Sequence, residues 1–194
     1  MVDLAGEWSL PPVPPHKTKP GVGRQKMNIR RAARTNTRTR DLALVATFAS
    51  LYAVLVFAFA PISFGPLQFR LAGALRPGIA RRRVLAVGYA LGVAVGNLFT
   101  PFPLYYEVLF MPLMSLFAGL AGFEVAKLLK RRYLTAGAVT AAIISLSVSW
   151  MLSQPLVLSL PMILTLPPLF VAEQVVCVLG AAVFELVDKR FKWW

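Results

Sequence analysis

Charge is scarce in this 194-residue chain, where Lys, Arg, Asp and Glu together make up 15% of the residues. A soluble chain carries about a quarter. Cysteine occurs once, at Cys177, which excludes a disulfide framework within the chain. Histidine also occurs once, at His16, far from any apolar stretch, so no His and Cys set for zinc exists. No GxxxxGK[ST] loop is present to cradle nucleotide phosphates. Neither HExxH nor GxSxG occurs, and no pair of carboxylates marks a hydrolytic site. These absences leave no engine for ATP hydrolysis in the chain itself, no visible enzyme and no expected cofactor.

What is present is apolar. Hydrophobic residues make up 57% of the chain, and the mean hydropathy is +0.65. That exceeds what one water-soluble core can hide, and it identifies an integral membrane protein of the all-α class. The net charge of +13 suggests nucleic acid until its location is read. Nine of the 21 basic residues precede Asp41, and the others form short clusters beside apolar runs. This is the pattern of membrane orientation, not of a phosphate-binding face. No nucleic-acid partner is expected.

Residues 1–40 differ in composition from the rest and are expected to be a disordered, basic cytoplasmic tail. Pro11 to Pro20 holds five prolines, and Arg24 to Arg40 holds seven Lys or Arg. Pro11-Pro12-Val13-Pro14-Pro15 has the form of a polyproline ligand, although a solvated tail accounts for it more simply. Met27 opens a second plausible start ahead of Arg30, Arg31 and Arg34. No secretory signal is read, because the first apolar stretch is long and begins late.

From residue 41 to 194 the charges and prolines divide the chain into six apolar segments: 42–60, 67–80, 84–99, 104–126, 134–152 and 168–187. The expectation is a bundle of six transmembrane helices. A crossing needs about 20 residues, and the second segment reaches only about 21 Å at ~1.5 Å per residue. Charge parity argues that it crosses nonetheless. With six passes, the basic tail, Arg81 to Arg83, Lys127 to Arg132 and Lys189 to Lys192 all fall on one side. The positive-inside rule makes that side the cytoplasm, with both termini there and the chain in the cell membrane. Arg70 is then expected near the outer surface and Arg76 toward the inner half.

Small residues recur at helical spacing. Gly88, Gly92 and Gly96 form one smooth face of the third segment, and Ser115, Ala118, Gly119 and Gly122 line the fourth. Such ladders let helices approach closely, usually within one bundle. Polar residues inside apolar helices are costly and therefore informative. Gln68, Arg70, Asn97, Tyr105, Tyr106, Glu107, Ser149, Trp150, Glu173 and Gln174 all count to the outer third of the bilayer, Glu173 about 8 Å below the end of its segment. No comparable cluster falls in the inner half, where Glu124 and Glu185 have basic neighbours. A pocket open outward and closed inward fits this asymmetry better than a channel, which is polar along its whole length. Tyr105, Tyr106 and Trp150 also fit as interfacial anchors, Asn97 as a bond between helices, and Glu107 as a surface acid. Glu173 requires a partner, either Arg70 or a ligand.

Ala60-Pro61-Ile62-Ser63-Phe64-Gly65-Pro66-Leu67-Gln68-Phe69-Arg70 resembles the first loop of the queuosine-precursor transporter (QueT) family. Gly92 to Asn97 is similar to that family's third-helix pattern. Ala172-Glu173 with Val178-Leu179-Gly180 is similar to its last helix. The resemblance, from about Thr47 onward, implies an S component, the substrate-binding subunit of an energy-coupling factor (ECF) transporter. It implies six helices, an outer pocket under the first loop, and a coupling membrane subunit with two ATPase subunits as partners. It further implies that small residues of the first helix, Ala46, Ala49, Ser50 and Ala53, face the coupling subunit. The implied solute is a 7-deazaguanine, or another base or vitamin, held among Gln68, Arg70, Asn97, Tyr105, Glu107, Trp150 and Glu173. Glu173 would accept hydrogen bonds from a guanine-like edge, and Trp150 or Tyr105 would stack on the ring. The chain departs from the family at Ala72-Gly73-Ala74-Leu75, where Ser-Glu-Ala-Leu is usual, and at Met111, where glycine is usual. A self-sufficient small carrier and a non-transport membrane scaffold are the competing readings.

Overall fold

The computed structural model describes residues 22–64, 69–130 and 132–191, and every element among them is helical. Two units are distinguished, 1–39 and 40–194. In the first unit the proline-rich stretch lies outside the described residues. The basic stretch leads into helix α1, which begins at Val22 and runs to Ala58. No proline interrupts the chain between Pro20 and Pro61, and Arg, Lys, Gln, Met and Ala are good helix formers.

The second unit holds the rest. A single turn, α2 (Ala60–Ser63), follows α1. A tight 3-10 segment, Leu71–Ala80, precedes α3 (Leu85–Gly96). A π-helical stretch, Tyr105–Phe110, runs into α4 (Met111–Leu128), followed by α5 (Tyr133–Leu152) and α6 (Met162–Arg190).

Of the six expected crossings, length and composition mark four. Among the described residues four helical stretches are long and apolar enough to cross a membrane: Thr37–Ala58, Tyr105–Leu128, Tyr133–Leu152 and Met162–Arg190. Leu85–Phe99 is apolar but shorter. The second apolar segment is not a spanning α-helix at all. Pro77 interrupts it, and it folds as a ten-residue 3-10 helix, extending ~2.0 Å per residue or about 20 Å in all.

Its position explains how such a segment survives in an apolar setting. Ala72, Gly73 and every residue from Arg76 to Ala80 are buried, and the segment packs chiefly against α5 and α6. Irregular backbone at membrane depth is tolerated where protein encloses it. Its far end is tied by Arg81 to Asp188 (2.7 Å) and by Arg82 to Asp41 (3.5 Å). The start of the α1 span, the end of the 3-10 segment and the end of α6 therefore meet at one end of the bundle. Tyr133, opening α5, joins them by stacking on Phe184 of α6 at 5.5 Å.

Close approach between helices follows the small residues. A Cβ on Gly88 would stand 2.9 Å from the Val45 carbonyl oxygen, and one on Gly92 2.7 Å from Tyr52 Cβ. The glycine face of α3 thus seats α1. The surface is the inverse of a soluble protein's. Leu109, Leu113 and Phe117 line one exposed face of the Tyr105–Leu128 span, as do Val171, Val175 and Leu179 on α6. Continuous apolar surface of this kind is matched by lipid rather than by water.

Candidate functional site

Two buried ion pairs occupy the interior of the second unit. The first joins Arg70, which precedes the 3-10 segment, to Glu107 of the π-helical stretch. Arg70 Nη2 donates to both carboxylate oxygens at 3.3 Å, and Nη1 donates to Asn97 Oδ1 at 3.1 Å. Asn97 Nδ2 in turn donates to the Glu107 carboxylate and to its backbone oxygen, the latter at 3.1 Å. All three side chains are buried, Asn97 and Glu107 completely. A π-turn widens the helix and leaves carbonyls without the usual partners; here Asn97 accepts that role for Glu107.

The second pair joins Arg76, inside the 3-10 segment, to Glu173 of α6. Its geometry is bidentate: Nη1 meets Oε2, and Nη2 donates to Oε1 at 3.3 Å. The remaining guanidinium donor, Nε, reaches the Tyr89 hydroxyl of α3 at 2.9 Å. Tyr89 packs edge-on against Tyr52 of α1, with ring centroids 5.2 Å apart. Gly73 lies directly on the pair: a Cβ there would stand 3.1 Å from Arg76 Cζ and 3.3 Å from Glu173 Oε2. Four charges, two of each sign, therefore share one water-poor interior, and each has a partner of opposite sign. Unpaired, any one of them would be costly there.

The expected site residues divide on this geometry. Arg70, Asn97 and Glu107 form one network, and Glu173 stands in the adjoining pair. Of the two partners open to Glu173 in the sequence, neither is the observed one within the protein, since Arg76 takes that place. The depth assigned to Glu173 is revised with it. Helix α6 starts at Met162 rather than Pro168, carrying Pro167 and Pro168 inside it. Glu173 accordingly lies eleven residues, or about 16 Å, along the helix instead of about 8 Å. The 3-10 rise carries Arg76 roughly 10 Å beyond Leu71, and the ion pair holds the two side chains at one level.

Tyr105 and Trp150 are 47% and 42% exposed and stand outside this interior. Trp150 sits in an aromatic group with Phe110 (4.9 Å) and Tyr106 (6.3 Å). Gln68 lies outside the described residues. Gln174 donates to the Ala138 carbonyl oxygen at 3.1 Å, and Ser149 bonds Thr165, so both link α5 to α6. On α1, Ala46 and Ser50 are exposed, Ala49 is half-buried and Ala53 is buried. Arg76, Tyr89 and Tyr52 were not singled out from sequence. Arg76 did carry a signal, being one of two arginines in a segment whose helical neighbours hold two acids. No group of three or more His, Cys, Asp or Glu that could hold a metal is found among the described residues.

A family model described as QueT transporter matches residues 42–189. No curated protein and no solved structure matches the chain. The matched region contains every residue of both buried pairs. It makes the chain a multi-pass membrane protein of transport, with a small-molecule substrate.

Proposed function

Because the chain belongs to the QueT transporter family, we propose that it is the solute-capturing S component of an ECF importer, taking a 7-deazaguanine from outside the cell. The observation that carries this reading is the paired interior just described. Buried carboxylates and guanidiniums held in fixed geometry are the groups that a planar, donor-and-acceptor-rich heterocycle requires. Arg76 orients Glu173, so that its remaining lone pairs accept from a guanine-like N–H edge. Asn97 and Arg70 do the same for Glu107. Gln68 contributes to solute binding, and Tyr105 and Trp150 stand at the entrance on the outer side.

ATP hydrolysis belongs to two separate ATPase subunits, reached through a coupling membrane subunit. Ala46 and Ser50, exposed on α1, supply a close-contact surface for that subunit. Ala49, whose carbonyl oxygen meets Gly92 of α3, and the buried Ala53 support it from behind. Both termini and the Arg81–Asp188 and Arg82–Asp41 ties lie on the cytoplasmic side.

The test is a thermal-shift screen of the purified protein against 7-deazaguanines, vitamins and bases. A solute at a hundredfold excess over its Kd stabilises the fold by about 2.7 kcal/mol. A deazaguanine shift that disappears in Glu173→Gln supports the reading. A vitamin shift instead keeps capture and discards the deazaguanine. Uptake into vesicles by this chain alone, with no coupling subunit or ATPase, defeats the S-component assignment.

A further inference from the structure

The two pairs leave specific groups unsatisfied. Arg70 uses Nη1 and Nη2 but not Nε, and that nitrogen is buried with no hydrogen-bond partner. The Tyr52 hydroxyl is fully buried and also without a partner, as is the Ser63 hydroxyl. The Tyr52 ring abuts Tyr89, which holds Arg76. Ser63 precedes Phe64, whose ring lies 5.4 Å from Arg70 Cζ. Buried polar groups in native proteins are ordinarily satisfied, so three together indicate a missing bonding partner. Nε of a guanidinium only donates, and the hydroxyls can donate as well. Their partner presents acceptors.

The charges set a second condition. Arg70 and Arg76 balance Glu107 and Glu173, and Gly73 adds no acid beside them. A cation entering this interior would leave one uncompensated positive charge away from water, which is the expensive case. A side chain at Gly73 would press on the Arg76–Glu173 pair, with approaches of 3.1 Å and 3.3 Å.

We propose that the site takes an uncharged solute, reads its acceptor-bearing edge through Arg70 Nε and the Tyr52 hydroxyl, and excludes cationic analogues. This rests on the solute-capture reading above and specifies its substrate class. Tyr52 becomes a binding residue of the site, and charge balance becomes its selectivity.

The experiment uses two 7-deazaguanines differing only at C7, one with a neutral nitrile and one with an aminomethyl group. The amine is protonated at neutral pH, as alkylamines are. Affinities for the purified full chain are measured calorimetrically at pH 7, for wild type and Tyr52→Phe. The nitrile is expected to bind at least about tenfold more tightly than the amine. Tyr52→Phe is expected to weaken nitrile binding about threefold to tenfold, while unfolding at the same or higher temperature without ligand. The loss of a hydroxyl that has no internal partner does not destabilise the fold, so a binding defect there is not a folding defect. An amine bound as tightly as the nitrile overturns the charge-balance selectivity and leaves solute capture standing. Unchanged nitrile affinity in Tyr52→Phe overturns the acceptor-edge assignment, again leaving capture intact. Binding of neither compound overturns this inference together with the deazaguanine reading.

Discussion

Arg76 and Glu173 are 97 positions apart in the chain and meet as a bidentate, buried ion pair between a 3-10 segment and the last helix. The pair is closed on a third side by Tyr89 and on a fourth by the bare backbone of Gly73. Its partner arrangement, Arg70 with Asn97 and Glu107, is built the same way from different elements. The 3-10 segment is therefore the axis of the site, contributing one arginine just before its start and another at its middle.

Removing one member of the Arg76–Glu173 pair leaves the other buried and uncompensated. Arg76→Met is expected to destabilise the protein by about 3–5 kcal/mol, read as a lowered unfolding temperature in detergent. The double variant Arg76→Met/Glu173→Met should recover much of that loss, since no lone charge remains. Equal destabilisation of the single and double variants would show that the loss is one of packing.

The ties at the other end of the 3-10 segment should behave differently. Arg81 and Asp188 are 22% and 14% exposed at their side chains, against 1% and 5% for Arg76 and Glu173, so the charge left behind is partly hydrated. Asp188→Asn is expected to cost no more than about 1 kcal/mol. A loss as large as that of Arg76→Met would mean that the inner tie, rather than the buried pair, holds the segment.

Asn97 satisfies the Glu107 backbone oxygen and bridges Arg70 to Glu107. Asn97→Ala strips those bonds without adding bulk and should cost about 1–3 kcal/mol. Solute affinity should fall along with stability, because Arg70 and Glu107 lose their orientation. A variant that loses stability but binds normally would remove this network from the binding site.

Gly92 lets α1 and α3 touch. A methyl there would stand 2.7 Å from Tyr52 Cβ and 3.0 Å from the Ala49 carbonyl oxygen. Gly92→Val is expected to cost about 1–3 kcal/mol through overpacking and to shift Tyr52 from its place against Tyr89. Thermal unfolding reads the first effect and solute affinity the second. Wild-type values for both would mean that α1 yields freely at this contact.

Composition alone determined the solvent of this protein. Few charges, long apolar runs and basic clusters at their ends leave lipid as the only medium in which the chain satisfies its surface. The order of the apolar segments was legible for the same reason, as were the glycine face of α3 and Arg70, Asn97, Glu107 and Glu173 as the polar groups set within the apolar segments. Polar groups stand out against an apolar background. Tertiary structure decided which charge meets which. Counting residues at a uniform α-helical rise separated Arg76 from Glu173, because it assumed a spanning helix from 67 to 80 and a helix start at Pro168. The enclosed segment instead winds as a 3-10 helix, and α6 absorbs two prolines in its early turns. Both departures change the rise or the origin of the count, and neither is visible locally, because only packing against α5 and α6 makes them stable. The pairing of Arg76 with Glu173, and the placement of Tyr52 beside it, are properties of that packing.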